Sequence, residues 1–142
     1  MDALRAVHGR VALVAWGVAV VLTAAPAFAA AAPGSYEIPL NDMTHSGEHA
    51  VAVLKPVGNK TLVTLKTTGG PSDPQPAHFH YGTCEKYTPR PLHMLQSVVN
   101  GESTTTLDVP IDQLVKGDLV INVHRSLTDI ATVSACGISK PS

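Results

Sequence analysis

Asp118-Leu119-Val120-Ile121-Asn122-Val123-His124 is the stretch that decides the fold. Side chains of an extended chain alternate between two faces, so Leu119, Ile121 and Val123 form one apolar face while Val120, Asn122 and His124 share the other. The apolar face is expected to pack inward. A histidine that shares the opposite face with an asparagine points to a role other than core filling. Ala77-His78-Phe79-His80-Tyr81-Gly82-Thr83-Cys84 reads in the same way, because a His-x-His pair on a strand turns both rings to one side. Two such strands offer three imidazole nitrogens, a donor set that suits a metal ion and copper in particular.

Short β-favouring segments lie on either side. Residues 49–54 and 61–67 are rich in Val, Leu and Thr and flank Gly58-Asn59, which predicts a hairpin. Residues 69–76 hold three prolines and two glycines and are expected to form a loop. Residues 104–109 make another strand stopped by Pro110, and 111–117 predict one helical turn ending at Gly117. Residues 130–136 supply a last strand. Regular short strands without helical periodicity predict an all-β fold, an antiparallel sandwich or barrel.

Arg5 and Arg10 precede an apolar run over residues 11–22, and Ala27-Phe28-Ala29 fits a small-x-small cleavage rule. Residues 1–29 therefore read as a secretory signal peptide, cleaved after Ala29 or, in the near alternative, after Ala31. The run is too short for a membrane span, and none is expected after cleavage. Residues 30–142 are enough for a single β domain, secreted or periplasmic. A formal net charge of −1 over the 142 residues and an aromatic content of 4% leave no basic stripe and little stacking surface, which disfavours nucleic acid as a partner. No phosphate-binding loop, Gly-x-Ser-x-Gly elbow or His-Glu-x-x-His helix is present, so nucleotide-dependent and hydrolase readings have no support.

Cys84 and Cys136 are the two cysteines of the chain. In an oxidising compartment they are expected to pair. Closing a loop of that length contributes on the order of 4 kcal/mol in the chain-entropy model. The rival reading, two separate copper thiolates, finds no Cys-x-x-Cys unit to support it.

The order His-x-His, Gly, Cys, then Gly117-Asp118 leading to Asn122-Val123-His124, then Ala135-Cys136-Gly137, resembles the copper/zinc superoxide dismutases. It is also similar to the wider dismutase-like and chordin-type β domains. The resemblance implies a Greek-key β-barrel, with His78, His80 and His124 as copper ligands and Cys84 bonded to Cys136. The segment from Cys84 to Asn100 holds a single histidine, His93, so no zinc is expected; His93 is a candidate fourth copper ligand. Val133 stands where that family carries an arginine, leaving Arg125 as the candidate catalytic cation, with Arg90 and Lys86 as other sources of positive potential.

The function expected from the resemblance is that of an exported, zinc-free, copper-binding superoxide dismutase, with superoxide or a copper ion as its partner. The alternative is a non-catalytic copper carrier or a structural β-sandwich module. Copper that cycles between two oxidation states is well served by imidazoles. Each ligating ring needs its second nitrogen hydrogen-bonded, for which Asp118 and Asp129 are candidates. Tyr81, Tyr87 and Met94 are candidates for the mouth of a site, and His45 and His49 read as surface residues.

Overall fold

The structure, a computed structural model, describes residues 34–141. The signal peptide read over residues 1–29 lies outside the described residues. In chain order the strands are β1 (Tyr36–Asp42), β2 (His49–Val57), β3 (Lys60–Thr68), β4 (Gln75–Tyr81), β5 (His93–Val98), β6 (Glu102–Leu107), β7 (Leu119–His124) and β8 (Val133–Ile138). One helical turn, α1 (Ile111–Leu114), precedes β7. Every pairing is antiparallel, in the order β5-β4-β7-β8-β1-β2-β3-β6.

The two outer strands of that order come together, so the sheet curls into a nearly closed barrel. β5 and β6 are joined by a tight turn whose Asn100 (φ 52°) and Gly101 (φ 81°) are both left-handed, the conformation that matches the twist of a two-residue hairpin. Beyond the turn, the Gln96 N–H donates to Thr105 Oγ1 at 2.8 Å. The β3–β4 and β6–β7 connections give the chain its Greek-key path. The all-β barrel expected from the sequence is therefore the observed architecture.

Alternation builds the interior. Ile38 and Leu40 of β1, Leu54 of β2 and Leu65 of β3 share one buried cluster with Phe79 and Ile121. Small residues such as Ala52 and Ala77 in the same cluster make room for the larger ones. The predicted β2–β3 hairpin is present, with Gly58 (φ 61°) in its turn.

Four elements differ from the sequence expectation. α1 stops at Leu114 rather than running to Gly117, whose φ of 87° turns the chain toward β7 while its N–H donates to the Ser139 carbonyl. β8 begins at Val133, because the preceding residues form a turn in which Thr132 Oγ1 donates to Asp129 Oδ1 at 2.8 Å. β1 and β5 are strands that the sequence reading did not anticipate.

β8 and β1 approach closely at Gly137, where a Cβ would collide with the Pro39 carbonyl oxygen. Gly137→Ala is expected to lower the unfolding free energy by about 1–3 kcal/mol. Urea denaturation reads this directly, and an unshifted midpoint would contradict the close approach.

Candidate metal centre

β4 and β7 pair from Ala77↔Val123 through Tyr81↔Leu119. This register sets His78 opposite Asn122 and puts His124 two residues further along the same face. His78, His80 and His124 are all buried, at 5%, 2% and 5% exposure. Each offers one ring nitrogen, and the three lie within 4.8 Å of one another. The structure thus brings together the three histidines that the sequence singled out.

The atoms fit an ion. His78 Nδ1 and His124 Nε2 are 3.2 Å apart. Two nitrogens each about 2.0–2.1 Å from a shared ion, at a near-tetrahedral angle, stand about that far from one another. His80 Nδ1 donates to the Thr88 carbonyl oxygen at 2.7 Å, which leaves its lone pair on Nε2, a buried atom with no hydrogen-bond partner among the described residues. A buried, orphaned imidazole lone pair beside two further rings is a donor set able to bind a metal ion.

The loop over residues 82–92 lies beside these rings through Tyr87, Thr88, Pro89 and Pro91, and β7 is buried on both faces. Cys84 in that loop is bonded to Cys136 on β8, closing 52 positions of chain. Gly82 (φ 124°) starts the loop, and a Cβ there would collide with the Lys86 carbonyl. The same loop supplies the Thr88 carbonyl, and it sets the Tyr87 ring 4.9 Å from that of His80.

Burial and proximity favour the neutral form of His78 and His124. The His78 pKa falls to about 4, chiefly through burial and further through the charges of His124 and His80. Burial also lowers His124, against the backbone of Ile130, which raises it. Neutral imidazoles are the form that ligates.

A cavity of about 480 Å³ opens onto the three rings, its other walls formed by Tyr87, Pro89, Pro91, Ile130 and Ala131. No charged side chain lines it. Arg125 lines a separate cavity with Glu48, Gly69 and Gly70, consistent with the alternation of the chain after His124. Lys86 and Arg90 border neighbouring surface pockets together with Tyr81.

The three-histidine group does not include His93, which pairs opposite Phe79 with its ring edge-on at 6.1 Å, on the core side of β4. Met94 is 63% exposed and outside the cavity lining. Asp129 is engaged by Thr132, and Asp118 meets the covering loop through its carbonyl, which accepts from the Gly82 N–H. The expected carboxylate partner is thus replaced at His80 by the backbone of Thr88, a group that carries no sequence signal.

Two outcomes follow from this geometry. In the metal-free protein the unfolded chain, whose histidines keep ordinary values near 6.5, binds protons between that pH and about 4 that folded His78 refuses. Stability is therefore fully present above about 6.5 and declines as pH falls toward 4; urea unfolding across that range, with an NMR titration of His78, checks it. Cys136→Ser releases the covering loop, and with it the Thr88 contact. It is expected to cost about 2–4 kcal/mol and to free the His80 ring, seen as a shift of its imidazole resonances.

Comparison with protein-family models, with curated proteins and with solved structures finds no match for this chain, so its functional reading rests on the residues described above.

Proposed function

We propose that this protein is an exported copper-binding domain of superoxide dismutase-like build, in which His78, His80 and His124 hold one copper ion and the segment from Cys84 to Asn100, with His93 as its single histidine, builds no zinc site. The observation that carries the proposal is the convergence of three buried imidazoles, one with an orphaned lone pair, beside a disulfide-anchored loop. Among divalent first-row ions such a nitrogen site holds Cu(II) most tightly, and imidazole tolerates both copper oxidation states. The order of motifs around the three histidines favours the same metal.

Bound copper would supply one-electron exchange. The chain's own part is to desolvate the rings, to fix the His80 tautomer through Thr88 and to keep the cavity side of the group reachable by a small molecule. The disulfide and the leader support export.

Superoxide dismutation is the second reading, favoured by the cavity that leaves the rings accessible from outside. The character of its walls favours holding copper over turning over an anion. Steering of superoxide needs a cationic rim, and Arg125 borders a different cavity.

The mature protein is expected to take up one copper ion per chain at neutral pH and to give a Cu(II) resonance spectrum with nitrogen splitting. His80→Ala is expected to lose the ion. Superoxide turnover that falls with ionic strength would select the dismutase, whereas copper uptake without turnover selects the carrier. A chain that takes up no copper contradicts both.

A further inference from the structure

His124 differs from the other two histidines in how its strand is held. The Gly82 N–H donates to the Asp118 carbonyl at 3.0 Å, so that pair is of the hydrogen-bonded kind. Such pairs recur at every second step of an antiparallel ladder. His80↔Val120 and His78↔Asn122 are therefore of the same kind, and one more double step sets Pro76 opposite His124. Proline has no N–H to give. The carbonyl of His124 is left without a ladder donor from β4.

The other side of β7 is irregular at the same residue. Val123 pairs with Ala135 but His124 pairs with Val133, so Ser134 is an extra residue of β8. Bulges of this kind loosen the ladder locally and re-aim a side chain. The histidine that completes the group is thus the one that the sheet itself holds least.

A side chain takes over. Gln75 Nε2 donates to the His124 carbonyl oxygen at 3.1 Å and to Glu48 Oε2 at 3.0 Å. Gln75 is 2% exposed and Glu48 is fully buried, so neither bond competes with water. Glu48 fixes the amide, and the amide fixes the backbone of His124. Resting on the copper reading, we infer that Gln75, held by Glu48, is a positioning residue for His124, replacing the ladder donor that Pro76 lacks and holding the bulged strand so that Nε2 meets its two partners.

The test uses the mature, disulfide-bonded protein loaded with Cu(II). Gln75→Met keeps the volume and removes the donor; it is expected to weaken copper binding about 10–100-fold, measured by chelator competition, and to change the copper hyperfine splitting. Glu48→Gln retains an acceptor for the amide and is expected to stay near wild type. Thr61→Val deletes another side-chain bond, to the Val109 carbonyl, and is expected to lower stability without altering the copper spectrum.

If Gln75→Met does not fold, Gln75→Asn, which draws the amide back by one methylene, is expected to give the same change in smaller degree. Wild-type affinity and spectrum in the folded Gln75 variant would overturn the inference. Should the wild-type chain take up no copper, the proposed function fails on its own, and positioning is then read in the metal-free protein. There the ring ¹⁵N shifts of His124 are expected to move in the Gln75 variant while those of His80 stay. Unmoved His124 shifts overturn it.

Discussion

Pairing of β4 with β7 in a single register brings imidazoles 46 positions apart in sequence, those of His78 and His124, to within 3.2 Å. The register is enforced from the other face of the same strands. Ala77 and Phe79 of β4 and Leu119, Ile121 and Val123 of β7 enter the core cluster. A slip of one residue would exchange the faces of β7, exposing its apolar residues and burying His124 among hydrocarbon. Each large apolar side chain kept inside contributes about 1.5–3 kcal/mol, so three or four of them outweigh any local preference of the rings. The core thus sets the geometry of the site.

What the ladder cannot provide comes from outside it. The covering loop, tied down by Cys84–Cys136, brings the Thr88 carbonyl to His80 and lays Tyr87 against the ring. At the opposite end Gln75 bonds the carbonyl of His124 where Pro76 and the bulge interrupt the sheet. The two outer histidines of the group are held by different means, one through its ring and the other through its backbone. Burial, aided by the neighbouring His124 and His80, also keeps His78 uncharged well below neutral pH, the form in which an imidazole ligates.

Much of this was legible in the sequence, for reasons that can be named. The alternation from Leu119 to His124 and the His-x-His pair are period-two signals, and both strands lie where that period puts them. β1 was missed because Pro39 interrupts its pattern, although Ile38 and Leu40 do alternate inward. β5 was missed because only Leu95 and Val98 of its six residues are buried, too few to set a period; Asn100-Gly101, a strong hairpin signal, could have revealed it. Arg125 adjoins His124 in sequence, yet alternation of the chain carries it to the Glu48 cavity. His93 likewise lies on the Phe79 side of β4, away from the rings it was matched with. The roles of Thr88 and Gln75 were hidden, one being a backbone contact and the other depending on a missing N–H across the sheet.

An apolar mouth over three imidazole rings distinguishes this centre from one built to attract anions, and it makes the identity of the donor atoms the central question. X-ray absorption at the copper edge of the loaded mature protein answers it most directly. The account predicts three imidazole nitrogens at about 2.0–2.1 Å, with the outer-ring scattering that imidazole produces and no sulfur contribution. A sulfur scatterer near 2.3 Å, or fewer than three imidazoles, would contradict it.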